Sequence, residues 1–482
     1  MGVGAPRPQD APTAAQTWRP SLYLITDTLP ALDDLRAGLA GSVSVPGDDR
    51  YDEARLAWNL AVDQRPAAVA EPETVADVEA VVRYAGERGL RIAAQGTGHN
   101  AAPLGDLEGT ILVKTHRLRD VHVDAHARRA VAMAGAVWAD VVVPASRHGL
   151  AALAGSSHDV GVVGYTLGGG LSWLARSHGL AANAVVAIQV VTADGRRRVV
   201  SASHDPDLFW ALRGGGGNFG VVTAIELELF DVGDVYAGML AWPWERAGEI
   251  LAAWREWSIT APDEISTSAR IVQVPPLPDI PEIVRGRALV VIDGAHTGDE
   301  GDGARALAAL RALEPDIDTF ATMAPAGLLG IHMDPPAPVP AVGDGGLLAG
   351  VGPDAIEALV RAAGPGSGSP LLSVELRQLG GAVAREPQGA GAIASLQADF
   401  GLFAVGLAMD PGMAAAVGAH VDVVKAALAP WDAAERYLNF AERPVDTRRA
   451  FTPDAYRRLR AVKTLVDPDD VFRANHPIAP ID

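Results

Sequence analysis

Three stretches of this chain set glycine among polar and aromatic side chains at spacings suited to chemistry on a bound ligand. The first is Gln95, Gly96, Thr97, Gly98, His99 and Asn100, where two glycines thin the backbone and a histidine sits at the tip. In the second, Gly155, Gly161, Gly164, Gly168, Gly169 and Gly170 alternate with Ser156, His158, Val160 and Tyr165. The third runs from Arg213 to Thr223, with Gly214 to Gly217 and Asn218 ahead of Gly220, Val221 and Val222. A residue without Cβ takes positive φ readily, so backbone N–H groups can converge on a flat or phosphorylated ligand. A lone histidine in such a loop is either a structural group or a ligand contact, and the loop alone leaves both open.

The flanking elements must position these loops. Thr74 caps a predicted helix whose Val75, Val78, Val81 and Val82 share one face, closed by Gly86 and Gly89. A strand from Leu90 to Ala94 then delivers the Gln95 to Asn100 loop. The β-branched run from Ala184 to Thr192, closed by Ala193, Asp194 and Gly195, predicts a buried strand, and Phe219 to Leu229 alternates as another. A nicotinamide reading of the glycines is weak, because neither cluster joins a strand directly to a helix with an acidic residue about twenty positions on. His116, His122 and His126 lie around an alternating, exposed strand without a supporting carboxylate pattern, so no metal site is expected.

At 482 residues the chain exceeds one hydrophobic core, and two or more domains are expected. A composition of 49% hydrophobic and 21% charged residues is that of a soluble globular protein. The net charge of -19 argues against nucleic acid or an anionic membrane as partner. With no cysteine there is no disulfide, thiolate metal site, cysteine nucleophile or thioether-linked cofactor. The first residues carry no basic segment followed by an apolar one, so a cytoplasmic protein is expected. Residues 1–45 are expected to be a partly disordered leader, with a short strand and helix in SLYLITDTLPALDDLRAGL.

Taken in order, the helix EPETVADVEAVVRYA, the loop QGTGHN, the run AGSSHDVGVVGYTLGGG and the segment RGGGGNFGVVTAIELELF resemble the FAD-binding domain of the vanillyl-alcohol-oxidase type, in its berberine-bridge-enzyme-like and here bacterial branch. The resemblance covers roughly residues 66–230 and returns at Tyr437, Leu438, Asn439 and Phe440 and at Asn475. It implies an α+β fold: a two-part FAD-binding domain of the PCMH type over 46–232, a substrate domain with an antiparallel sheet over 233–430, and a segment 431–482 returning to the flavin domain. It also implies FAD as cofactor, covalently attached through His99. Relatives with a second covalent link use cysteine where Ser157 stands, so only a histidyl link is expected. Valine at the Val160 position accompanies oxygen access in oxidases of the family, which implies dioxygen as acceptor.

Beyond residue 230 the pattern alternates strand and helix. Ala247 to Trp257 is amphipathic, Ile265 to Val274 alternates, and Asp334 to Gly346 and Gly364 to Pro370 are expected to be loops. On the strand around Leu372 to Leu379, Ser373, Glu375 and Arg377 share a face that is expected to be largely solvated. In plant relatives a tyrosine ends the Tyr-x-Asn motif and another follows the glycine triplet; here those positions are Phe440 and Leu171, and the strand from Phe400 to Met409 offers no base. Tyr165, His158 and Tyr437 are therefore the candidate catalytic groups. The expected activity is hydride transfer from a small alcohol, sugar, amine or specialised-metabolite intermediate to flavin N5, with hydrogen peroxide released. The alternative is a non-redox cyclase or isomerase on the same fold.

Overall fold

The computed structural model describes Met1 and residues 32–481. Its first sheet has the order Ser42–Ser44, Ala68–Glu71, Thr110–Lys114, Arg91–Gln95. The first pair is antiparallel and the others are parallel, as the crossover helix Val75–Arg88 requires. Residues from Leu32 onward thus fold onto this sheet, ahead of a domain start at residue 46: Leu32 and Leu35 of helix Leu32–Gly38 are buried with Val78 and Val82. The strand expected near residues 21–27 lies outside the described residues.

The Val75–Arg88 helix begins with a reciprocal cap. Thr74 Oγ1 accepts from Asp77 N at 3.1 Å, while Asp77 Oδ2 accepts from Thr74 N at 3.1 Å. Asp77 also accepts from the backbone N–H groups of Ala40, Gly41 and Glu73, which holds the chain before the first strand against the helix end. Gly89, at φ +64°, closes the helix. Thr74→Ala is expected to cost about 1 kcal/mol in chemical denaturation, because Asp77 N loses its side-chain acceptor.

A second, antiparallel sheet runs Val121–Asp124, Arg129–Met133, Val221–Glu228, Val185–Val191, Arg197–Ser201. Helices Trp138–Ser146, Val162–Leu167 and Pro206–Gly215 contribute Trp138, Val141, Val162 and Phe209 to its core. The C-terminal helix Pro453–Val466 adds Leu459 and Val462 to the same core, so the end of the chain completes the first domain.

A two-stranded pairing joins Leu150–Ala151 to Phe230–Asp231, and the largest sheet has eight strands. Seven follow the order Ile317–Asp318, Val235–Pro243, Ala288–His296, Ile265–Gln273, Ser373–Gln378, Phe400–Leu407, Ala341–Leu348, and Ala321–Met323 pairs beside Val235–Pro243. Helices Ala247–Thr260, Pro353–Ala363 and Pro411–Leu428 cover one face, where Trp242, Trp254, Ile356 and Val421 are fully buried or nearly so. The other face is turned to the first domain. Pro411–Trp431 is long and apolar enough to cross a membrane by length and composition, yet Val417, Val421, Val424 and Leu428 belong to this sheet's core.

Part of the stretch expected to be a loop, 334–346, is instead the start of strand Ala341–Leu348. Its glycines serve close packing rather than a turn. A Cβ at Gly345 would come 2.8 Å from the Phe440 carbonyl oxygen, and one at Gly401 on the neighbouring strand 2.9 Å from the Phe440 ring.

Candidate active site at the domain junction

The loop after strand Arg91–Gln95 turns back at Gly98, at φ +89°. Trp58 N donates to Thr97 O at 2.9 Å, and a Cβ at Gly98 would fall 2.9 Å from Ala57 Cβ, so only glycine lets the loop lie this close to the preceding segment. Gly161 faces Thr97, with its hypothetical Cβ 3.7 Å from the Thr97 methyl. The first two glycine-bearing loops therefore converge.

His99 lies between them. Its ring stacks on Trp58 with centroids 4.1 Å apart, Nδ1 meets Thr97 Oγ1 at 2.7 Å, and Nε2 lies 3.4 Å from Asp159 Oδ1 without a hydrogen bond. Asp159 also accepts from Trp58 Nε1 at 2.5 Å and Ser157 Oγ at 2.8 Å. Burial pushes the Asp159 carboxyl up, but the adjacent His99 imidazole and hydrogen bonds from Ser157 and Trp58 hold it well below the usual range. The residue at the cysteine position thus braces a carboxylate that faces His99.

Tyr165 is clamped by glycines on two sides. A Cβ at Gly155 would sit 3.0 Å from Tyr165 Cε2, and one at Gly170, where φ is +75°, would sit 2.5 Å from Cε1. Its hydroxyl is buried without a partner, and burial raises its pKa well above that of an ordinary phenol. Tyr437 packs over Gly169, and its hydroxyl accepts from Asn439 Nδ2 at 3.3 Å. Burial likewise raises its pKa, so both phenols stay neutral near neutral pH.

Several other residues singled out from sequence hold the frame together. Asn439 Nδ2 donates to Tyr165 O at 2.9 Å beside Gly168, and Asn475 Nδ2 donates to Asn100 O. Asn100 Nδ2 reaches Ala441 O at 3.3 Å, while its Oδ1 is left unpartnered. The Gln95 side chain points inward: it donates to Gln64 Oε1 at 3.0 Å and accepts from buried Lys114 at 2.7 Å. Ser156 Oγ donates to Asp334 Oδ2 at 2.7 Å, tying the glycine-rich loop to the larger sheet's domain. Gly164 lies within the short helix, while Val221 and Val222 pair with Val191 and Val190 just after Gly220. Val160 is half-buried, and its carbonyl accepts from Trp138 N at 3.0 Å.

His158 stands apart. It is half-buried, its carbonyl accepts from Ala139 N at 2.9 Å, and its imidazole makes no hydrogen bond or ion pair among the described residues. The imidazole within the junction is His332, and it belongs to a buried charge network on the large sheet.

His332 Nδ1 lies 2.8 Å from Asp293 Oδ2, and its Nε2 lies 3.5 Å from Glu375 Oε2 and 3.9 Å from Asp334 Oδ1. Asp293, fully buried, also pairs with Arg270, and Glu375 Oε1 accepts from Arg377 Nε at 2.6 Å. Burial and the Arg270 guanidinium push the His332 pKa down, but Asp293, Asp334 and Glu375 outweigh them and bring it up to about 9. Burial pushes Glu375 up, yet Arg377 and His332 hold it below the carboxylate range. On the polar face of Ser373–Gln378 expected to be solvated, Glu375 is instead buried and paired while Ser373 and Arg377 are half-buried, because the face is turned to the first domain.

Alternation alone could not reveal this network, since its members come from four separated segments. One sequence signal was available: Asp293 interrupts the apolar run ALVVIDGAH, and a carboxylate in a buried strand requires a cation.

A split α/β cofactor domain closed by its own C-terminal segment, facing the open side of an antiparallel sheet, defines the class: a flavoprotein with an FAD-binding domain of the PCMH type. The FAD binding domain family matches residues 66–201, and the Berberine and berberine like family matches residues 436–479. The chain therefore carries an FAD-binding domain and a berberine-like C-terminal segment. It is 35% identical over 205 residues to (R)-6-hydroxynicotine oxidase of Paenarthrobacter nicotinovorans, covering 42% of this chain and 45% of that protein. It is 33% identical over 228 residues to glucooligosaccharide oxidase of Sarocladium strictum, covering 46% of each. These alignments span about half the length of the curated relatives. Among solved structures, 6-hydroxy-D-nicotine oxidase from Arthrobacter nicotinovorans superposes with a TM-score of 0.80 at 25% identity, covering 92% of this chain and 98% of that one. Physcomitrella patens BBE-like 1 shares the fold, with a TM-score of 0.81 at 21% identity over 94% of this chain and 99% of that one.

The residues at the junction suit FAD. His99 Nε2, Asn100 Oδ1, Tyr165 OH and Thr166 Oγ1 are buried without partners, and such groups are costly unless a bound molecule meets them. The converging glycine loops add backbone donors and no bulk, as a cofactor diphosphate requires.

Proposed function

We propose that the protein is an FAD-dependent oxidoreductase that oxidises a small organic substrate and passes the electrons to dioxygen, releasing hydrogen peroxide. The observation that carries this reading is the set of unpartnered buried polar groups where the Gln95–Asn100 and Gly155–Gly170 loops converge, facing a sealed charge network across the domain junction. When bound, FAD supplies the two-electron acceptor. The chain's own groups do the rest. The glycine loops hold the cofactor diphosphate, Asn439 and Asn475 fix the C-terminal segment over those loops, and the walls of the junction exclude water from the reacting atoms. Tyr165 and Tyr437, both neutral, orient rather than deprotonate. Named relatives act on a hydroxynicotine and on oligosaccharides, which supports an alcohol, amine or ionisable hydroxyl as the oxidised group.

His99 is the proposed point of covalent attachment, aligned by the Trp58 stack and by Thr97. Denaturing the purified protein in acid or detergent tests this. Yellow colour and fluorescence are expected to remain with the polypeptide and to be released by His99→Ala. Release from the unmodified protein would remove the role of His99 while leaving FAD binding intact. A protein that never carries flavin would overturn the whole reading.

A further inference from the structure

Arg270 Nε and Asp293 Oδ1 are enclosed without partners in this network, whereas Arg377 keeps unused donors that are not enclosed. Its Nε donates to Glu375 Oε1 at 2.6 Å, but neither Nη atom has an acceptor among the described residues. Guanidinium carries five donors, and the four on the Nη atoms are left free to meet a ligand at a site where the side chain retains 11% of its exposure.

The surroundings of these Nη groups are specific. The guanidinium carbon lies 5.1 Å from the Trp173 ring centroid and 5.9 Å from that of Phe440, so two aromatic walls flank the charge and reduce water screening. The carboxylates nearby pair with other groups: Glu375 with Arg377 Nε, Asp334 with Ser156 Oγ, and Asp293 through Oδ2 with Arg270 and His332, its Oδ1 being enclosed without a partner. Tyr165 and Tyr437, the other ionisable groups that feel the Arg377 charge, are neutral phenols. The open end of the fork therefore meets no protein anion.

Resting on the flavin reading above, we infer that Arg377 anchors a planar oxyanion of the substrate, a carboxylate or an ionised phenol or enol, between Trp173 and Phe440. This also accounts for the missing base. Phe440, Leu171 and the strand Phe400–Leu407 offer no group to take a proton from a hydroxyl. For a phenol or enol, a fixed guanidinium favours the ionised form, the proton passing to solvent, and the oxyanion is a better hydride donor than the neutral hydroxyl; a carboxylate would only be anchored.

Calorimetric titration of the holoprotein tests this with benzoate and 4-nitrophenolate as anions, benzamide as a neutral isostere and benzamidinium as a cation. At least one anion is expected to bind the wild type and to weaken about 10- to 100-fold in Arg377→Met. Arg377→Lys, which keeps the charge but loses the fork, is expected to fall between. Benzamide is expected to bind all three proteins alike, which separates loss of the anchor from loss of folding. Benzoate binding alone assigns a carboxylate; 4-nitrophenolate binding alone assigns a phenol or enol. Failure of both anions to bind the wild type, equal binding by Arg377→Met, or tighter binding of benzamidinium would overturn the inference. Flavin content, read from absorbance of the same samples, fails separately: a colourless protein that still binds benzoate through Arg377 would sink the flavin reading and leave this one standing.

Discussion

Replacing Lys463 by methionine is expected to lower the unfolding free energy by about 3–5 kcal/mol, the usual cost of stranding a buried charge. Both Lys463 and Asp467 are fully buried, with Nζ 2.5 Å from Asp467 Oδ2 and 3.0 Å from Asp470 Oδ1. The ammonium also donates to Asn218 O at 2.9 Å, in the third glycine-rich segment. Asp467 in turn accepts from Val471 N at 2.8 Å and Phe472 N at 3.0 Å, so one ion pair holds the turn that leads the chain back to the flavin domain. Lys463→Met leaves that carboxylate without its cation. Adding Asp467→Leu is expected to recover only part of the loss, because the Val471 and Phe472 N–H groups remain unmet. Urea unfolding of the wild type, single and double variants measures both steps. A single variant within about 1 kcal/mol of the wild type would show that the pair is dispensable.

The second large effect is on pH. His332, raised to about 9 in the folded protein from the ordinary imidazole value of 6.5, binds its proton more tightly folded than unfolded. Its contribution is therefore complete below the unfolded value and is lost as pH rises towards about 9, at up to about 1.4 kcal/mol per pH unit. Lys114 acts in the opposite sense. Burial lowers it to about 8 from 10.5, so above pH 8 its deprotonation favours the folded state. The measurable quantity is thus the difference between wild type and His332→Gln. That difference is expected to shrink steadily from pH 6.5 to 9, whereas parallel curves would mean that His332 is not charged in the folded protein.

What the sequence reveals of this molecule divides along a physical line. Glycine acts through the backbone, and the loops at Gly98, Gly155 and Gly170 are legible because close approach excludes every other residue locally. The Thr74 helix and the strand Val185–Val191 are legible for the same reason, since capping and alternation are short-range. The charge network is not. Arg270, Asp293, His332 and Glu375 meet only after three strands and a loop have been brought together, and each alone reads as an ordinary polar residue. The glycines of Ala341–Leu348 mislead in the opposite way: they read as loop residues, and their need for space comes from Phe440, almost a hundred positions on.

One feature of the C-terminal return bears on how the protein is made. Arg91–Gln95 is an edge strand of the first sheet, and its Ile92 exchanges hydrogen bonds with Val471 and Arg473 at 2.8 and 2.7 Å. Arg91 reaches Asp470 across 379 residues of chain. At about 5–20 residues per second, the ribosome needs tens of seconds to supply that partner. Throughout that interval the strand that delivers the His99 loop has an open edge, a template for pairing with other nascent chains. The yield of this protein should therefore depend on translation speed and chaperone supply at a moment when its sequence for the cofactor loops has long been complete.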